Sequence, residues 1–295
     1  ELQDEGSSLA RDLAARYLAF LWYAFDSGTG RFRNVLSYER NWNDRKPSED
    51  AATRALWALG IVLGRSRNEG LRGPAGILFD RALRSTLDAT SPRAWAFTLL
   101  AVQEYMRRFA GDRDVQNARE TLANRLLDHF RRVSTPDWPW YEDVLSYDNA
   151  MLPHAMLICG RGMKDRPEMF EAGLRSLDWL ARLQRPDGGH FVPVGSNGFY
   201  RRGGTRARFD QQPIEAQSMI SACLEAHRLT GDARWHKEAV VAFDWFMGRN
   251  DLKLPLHDAA TGGCRDGLHQ DRVNQNQGAE STLAFLLSLV EMRLA

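Results

Sequence analysis

The chain has 295 residues, 39 basic and 38 acidic side chains for a formal net charge of +1, and 43% hydrophobic residues. That apolar share supports a core, and the absence of an unbroken apolar stretch of about 18 residues argues against a membrane span, so a soluble globular protein is expected. Charges of both signs are interspersed and leave no field to recruit a nucleic acid or an anionic membrane, and the length suits one repeat-built toroid or barrel, so a single domain over 1–295 is expected.

Apolar residues recur at spacings of three and four nearly throughout, beginning with Leu9, Leu13, Tyr17, Phe20 and Leu21 on a first helix over 7–26. Helices are then predicted over 49–65, 74–88, 92–110, 113–133, 148–162, 167–184, 213–230, 232–248 and 277–294, and no period-two strand run interrupts them. Segments 49–65, 92–110, 148–162, 213–230 and 277–294 are rich in Ala, Ser, Leu and Met, which marks helices buried on all sides. Those preceding them carry Arg, Asp and Glu on one face, which marks outer helices. The order is outer, inner, five times over, and hairpins repeating roughly every 50 to 65 residues point to an all-α toroid of helical hairpins, an (α/α) toroid.

The turns agree. Ala110-Gly111-Asp112 and Thr230-Gly231-Asp232 each end an inner helix on a glycine suited to the left-handed position and open the next on an aspartate cap. The long connections, 27–48, 134–147, 185–212 and 249–276, all run from outer to inner helices, so alternation places them on one face; loops of this length are usually functional. Cys159, Cys223 and Cys264 are odd in number and widely spaced, which argues against a disulfide framework. Glu1 to Gly6 lacks both an initiator Met and a basic-then-apolar signal pattern, which leaves localisation and any longer parent chain open.

Four inner helices are expected to open on a polar residue beside a small one: Ser48-Glu49-Asp50-Ala51, Tyr147-Asp148-Asn149-Ala150, Pro213-Ile214-Glu215-Ala216 and Gly278-Ala279-Glu280-Ser281. Side by side, these tips and the loops before them would line one cleft. The first loop offers Tyr38 and Trp42, the second Trp140, Tyr141 and Asp143. Aromatic rings stack on pyranose faces while carboxylates and amides pair with hydroxyls, so an oligosaccharide is the expected partner; the bland alternative is that the rings only fill loop core. The third loop carries Arg201, Arg202, Arg206 and Arg208 and ends Phe209-Asp210-Gln211-Gln212-Pro213, with proline at a first helical position. An acid in a first turn can equally serve the helix dipole, so Glu215 and its counterparts have a purely structural reading as well. The fourth loop is dense in amides, Asn274-Gln275-Asn276-Gln277; each unpaired buried polar group costs about 1–3 kcal/mol, so a ligand or water is expected to satisfy them. His257 and His269 lack a further ligand at close spacing, so neither a metal nor another cofactor is expected.

The alternation, the Thr-Gly-Asp turns and the run Trp179-Leu180-Ala181-Arg182-Leu183-Gln184-Arg185-Pro186-Asp187-Gly188-Gly189 resemble the six-hairpin, (α/α)6-barrel glycosidase superfamily across the whole chain, although only five hairpins are clear. Gln184 to Gly189 is also similar to the repeat of terpene cyclases, but neither DxDD nor DDxxD occurs, and lanthionine-type cyclisation lacks its Cys and His zinc ligands. The resemblance implies a glycoside hydrolase, mostly inverting, with two carboxyl groups about 6.5–9.5 Å apart. Candidates are Asp50, Asp143, Asp148, Glu215 and Glu280. Glu215 is expected as general acid, its pKa raised against Phe209 and Tyr200, and Asp148 or Asp143 as base. Asp50, Trp42, Tyr38, Trp140, Tyr141, Asn149, His154, His190, Asp210, Gln211, Gln212, Gln277 and Glu280 are expected to bind substrate. The alternatives are a sugar epimerase or lyase with His154 or His190 moving the proton, a phosphorylase with Arg201 to Arg208 holding phosphate, and a non-catalytic carbohydrate-binding domain of a larger protein.

Overall fold

A computed structural model describes residues 7–44, 48–163, 166–186 and 189–295. The reading of Glu1 to Gly6, and the Asp187-Gly188 step of the turn after Gln184, lie outside the described residues. Ten α-helices form among the described residues: α1 (Ser8–Ala24), α2 (Glu49–Arg65), α3 (Glu69–Thr86), α4 (Pro92–Met106), α5 (Arg113–Val133), α6 (Met151–Gly162), α7 (Pro167–Leu183), α8 (Pro213–Thr230), α9 (Ala233–Phe246) and α10 (Ala279–Leu294). Each matches a helix expected from the sequence. The architecture is the predicted all-α one, and none of its helices is long and apolar enough to cross a membrane.

Two starts differ from expectation. The α3 helix begins at Glu69 rather than Pro74, because Asn68 supplies a side-chain cap, its Oδ1 accepting from the Gly70 amide at 2.9 Å. The α6 helix begins at Met151 rather than 148, because Asp148 takes φ 50°, a left-handed conformation from which a right-handed helix cannot start. Asp148 and Asn149 therefore stand before the helix, not in its first turn.

The chain divides into two compact units, Glu1–Leu126 and Leu127–Ala295, and α5 carries the boundary. In the first unit, Leu56, Leu59 and Leu63 of α2 join Ala75, Leu78, Phe79 and Ala82 of α3 and Ala101 and Val102 of α4 in one core. Glycines set how closely α2 approaches α4. A Cβ added at Gly60 would lie 2.4 Å from the Ala101 carbonyl oxygen, and one at Gly64 only 2.0 Å from that of Glu104. Glu49 extends from the first turn of α2 to cap α4, its carboxylate accepting from the Thr90 and Ser91 amides at 3.0 Å each, where Ser91 makes no side-chain cap of its own. The short strands β1 (Phe25–Asp26) and β2 (Arg31–Phe32) pair antiparallel in the first long loop.

In the second unit α8 packs against α6, α7, α9 and α10, and its residues Pro213 to Cys223 are all buried, as expected for an inner helix. Trp235, Trp245 and Phe246 of α9 are buried, and Cys159, Cys223 and Cys264 are buried and form no disulfide. Gly231 takes φ 71° at the end of α8, and Asp232 caps α9 by accepting from the Arg234 amide at 2.9 Å. The strands β3 (Val144–Leu145) and β4 (Tyr200–Arg201) pair antiparallel, Val144 opposite Arg201 and Leu145 opposite Tyr200, and so join the second long loop to the third.

Burial corrects two helix readings. The α10 helix, expected to be covered all round, buries one face and leaves Leu283, Leu286, Leu287, Val290 and Leu294 exposed. On α1 the residues read as the core stripe, Leu9, Leu13, Tyr17 and Phe20, are exposed, while Leu18 and Ala24 are buried. A regular apolar stripe shows that a helix has a sticky face, not that a neighbour covers it.

Candidate functional site

Glu215 stands in the first turn of α8, behind Gln212 as a cap residue without a side-chain bond and Pro213 at the first helical position. Only 2% of Glu215 is exposed. Its carboxylate reaches the loop before α6: Oε1 accepts from the Asp148 main-chain amide, and Oε2 accepts from Asn149 Nδ2 at 2.9 Å. The Asn149 amide group is thereby oriented, since its Oδ1 accepts from the Ser146 amide at 3.1 Å. Asp148 and Asn149 are fully buried beside it. The left-handed turn at Asp148 thus aims a main-chain N–H at Glu215. Donors facing both oxygens suit a carboxylate rather than a carboxylic acid, so this setting differs from the expected one against Phe209 and Tyr200.

A second cluster joins the third and fourth loops. Asp251, whose side chain is 6% exposed, accepts from Arg208 Nη2 at 2.6 Å, Gln211 Nε2 at 2.8 Å and His190 Nε2 at 2.9 Å. Gln211 Oε1 accepts from Trp245 Nε1 at 2.7 Å, and its main chain exchanges hydrogen bonds with Leu268 at 3.0 and 2.9 Å. Next to it, Asp210 is left-handed at φ 57° and its Oδ1 meets His269 Nδ1. Both partners stay about a third exposed, 36% and 30%, so this His–carboxylate pair can meet a ligand.

Burial opposes the charge of Asp251, but the bonds from Arg208, His190 and Gln211 outweigh it and hold the carboxyl below its ordinary range. A depressed folded-state value adds stability above the unfolded value, about 3.9, and that stability is lost as pH falls through the folded one. Asp251→Asn is therefore expected to melt below the wild type at pH 7, with the gap closing as both are melted from about pH 4 downward. A gap of constant size across that range in thermal melts would contradict this role.

Several expected residues sit elsewhere than anticipated. Trp140 and Tyr141 are fully buried: Trp140 packs 5.7 Å from Trp179, and the Tyr141 hydroxyl bonds Ser176 Oγ at 3.1 Å, so they are core rather than binding surface. Burial pushes the Tyr141 hydroxyl well above its ordinary range. His154 is buried one turn into α6, whereas Asp143 is 80% exposed and 3.5 Å from Arg202. The fourth-loop amides largely find partners within the loop, contrary to expectation: Gln277 bonds Asp258 at 2.9 Å and Thr261 at 2.8 Å, and the Asn276 main-chain N–H donates to Asn274 Oδ1 at 3.0 Å. Glu280 is exposed in the first turn of α10. The third-loop arginines are also engaged, Arg202 with Thr135, Arg206 with the Leu183 carbonyl and Arg208 with Asp251, which leaves little to clamp a phosphate. Among the described residues no group of three or more His, Cys, Asp or Glu is placed to hold a metal ion.

Three expected residues belong to the first unit. Tyr38 is fully exposed, Trp42 packs 5.2 Å from Tyr23, and Asp50 pairs with Arg54 at 2.9 Å. Trp42 also walls a hollow of about 290 Å³ with Asp26, Arg31, Arg33 and Asp44. A larger hollow, about 790 Å³, is formed wholly by residues between Leu63 and Thr121 and holds none of the expected site residues.

No family model matches the chain, and no curated protein matches its sequence. Solved structures do. An unsaturated glucuronyl hydrolase specific for heparin superposes with a TM-score of 0.64 at 14% identity, over 95% of this chain and 76% of that one. Cellobiose 2-epimerase from Spirochaeta thermophila gives 0.64 at 15% identity, over 93% and 78%. The GH76A α-1,6-mannanase from Salegentibacter sp. gives 0.61 at 10% identity, over 95% and 86%. These neighbours are (α/α)6 toroids, and the fold here is an (α/α) toroid of helical hairpins, with ten helices among the described residues. At these identities the likeness establishes the fold and leaves the chemistry to the residues.

Proposed function

We propose that the protein is a carbohydrate-active enzyme, an inverting glycoside hydrolase acting on an oligosaccharide at the long-loop end of the second unit. The observation that carries this reading is the joining of Glu215 to Asp148 and Asn149 where two long loops meet, on a fold whose solved neighbours include a glucuronyl hydrolase and a mannanase. Inversion needs an ionised carboxylate to activate water and a protonated one to donate to the leaving oxygen. Glu215 takes the ionised part, given its amide donors, in place of the acid role expected for it, and Asp148, fully buried beside it, is the candidate for the protonated partner. Asp210 and Gln212, both partly exposed, offer a carboxylate and an amide for sugar hydroxyls.

The second reading, sugar epimerisation, is favoured by one feature: His269 oriented by Asp210, a proton-transfer group with partial exposure. A panel of oligosaccharides, assayed with and without phosphate, decides between them. Hydrolysis releases new reducing ends, and Asp148→Asn is expected to abolish release while retaining sugar binding. Epimerisation leaves chain length unchanged and is lost in His269→Asn but not in Asp148→Asn. Tight binding of a sugar with no turnover on any substrate sinks both and leaves a non-catalytic binding domain.

A further inference from the structure

The Gln211 side chain, expected at the sugar, is instead engaged by the protein itself. It is fully buried; Nε2 donates to the Arg208 carbonyl at 2.9 Å and to Asp251 Oδ2 at 2.8 Å, and Oε1 accepts from Trp245 Nε1 at 2.7 Å. These partners fix the sense of the amide, since a flipped group would set its oxygen against two acceptors. One side chain thus ties the third loop to α9 and to the start of the fourth loop.

The main chain of the same residue sets a register. Gln211 and Leu268 exchange both N–H···O bonds, at 3.0 and 2.9 Å, as an antiparallel bridge. In such a pairing the residue before one partner lies opposite the residue after the other, and that flanking pair has its side chains closer together. Here the flanking residues are Asp210 and His269. Alternation puts them on the opposite face: Gln211 and Leu268 are fully buried, while Asp210 and His269 keep 36 and 30% of their side chains exposed. Each is held further by its own main chain. The Asp210 carbonyl accepts from the Ser196 amide and from Ser196 Oγ at 3.0 Å each, and the His269 N–H donates to the Arg272 carbonyl at 2.9 Å. Asp210 is left-handed at φ 57°, a conformation that persists where the surroundings impose it.

We propose that Gln211 is a positioning residue for the Asp210–His269 pair. The proposal rests on the second reading, epimerisation, for what the pair does, but not for how the pair is held. Asp210 Oδ1 meets His269 Nδ1, so the neutral ring carries its proton there and leaves the Nε2 lone pair to accept one from a ligand. Loosening Gln211 lets the ring turn and take up the Nε2–H form.

Long-range ¹H–¹⁵N spectra of the full chain, with the His269 signal assigned by its loss in His269→Asn, are expected to show the Nδ1–H tautomer on the alkaline side of the titration. Gln211→Glu keeps the acceptor for Trp245 but loses both donors and faces Asp251 with a like charge. It is expected to shift His269 to a mixture dominated by Nε2–H and to lower kcat for epimerisation roughly tenfold or more, with KM little changed. Ser176→Ala, in the core against Tyr141, is the stability control: it lowers the melting temperature and leaves the tautomer and kcat as they were. Trp245→Phe, which removes the donor to Oε1, is read in the same way should Gln211→Glu not fold. A wild-type ring with its proton on Nε2 overturns the proposal, and so does a folded Gln211→Glu protein that keeps the Nδ1–H form. A chain that epimerises no sugar removes only that reading of the pair, and the tautomers still decide whether Gln211 holds it.

Discussion

Gly64→Ala is expected to destabilise the first unit by about 3 kcal/mol, although alanine for glycine inside a helix ordinarily gains up to about 1 kcal/mol. The reversal of sign comes from the contact. The new Cβ would lie 2.0 Å from the Glu104 carbonyl oxygen and 2.8 Å from its carbon. Both are main-chain atoms of α4, so no side chain can swing aside and the two helices must separate, opening the layer of Leu56, Leu59 and Leu63. Gly76→Ala on α3 is the control: its nearest neighbour is the flexible tip of Leu63 at 3.7 Å, and there the usual small gain is expected. Urea unfolding of both variants reads the effect. A neutral Gly64→Ala would mean that α2 and α4 lie farther apart than described.

The second large effect is expected at Glu215. Glu215→Gln keeps shape and volume but replaces one acceptor oxygen with an NH₂ group, in a pocket whose neighbours, the Asp148 amide and Asn149 Nδ2, are themselves donors. Donor then faces donor in a buried pocket. A loss of about 2–4 kcal/mol follows, together with loss of any turnover. Asn149→Ala removes the Nδ2 donor and the acceptor for the Ser146 amide and is expected to cost somewhat less. Thermal melts compare the two. A Glu215→Gln protein that melts with the wild type would show that the carboxylate is not the tie between these loops, and the site would have to be sought elsewhere.

The sequence carried the helices well because each has a periodic stripe and most have a recognisable cap, Ser48 and Asp232 among them. Less visible was anything that depends on what a residue faces. Trp140 and Tyr141 look like Tyr38 in sequence, aromatic residues in a polar loop, yet the first two are core and the third is bare. The composition of α10 suggests an interior helix because composition does not record whether a neighbour is present. The start of α6 was misplaced by a single left-handed residue, Asp148, which tolerates that conformation without announcing it. Of the carboxylate cluster, Glu215 and Asp148 were legible as acids at helix starts, while their contact was not. His269 and Asp210 are separated by 59 positions, and no local spacing joins them. The fourth-loop amides looked in need of a ligand because mutual bonds such as Gln277 to Asp258 and Thr261 span up to 19 residues.

The pairing of β3 with β4, together with the Gln211–Leu268 exchange, laces three connecting segments of the second unit into one fabric. Anyone transplanting a segment from a relative to change what is recognised would tear that weave unless the stretches facing it travelled too. Specificity in this molecule is inherited by the patch, not by the strand.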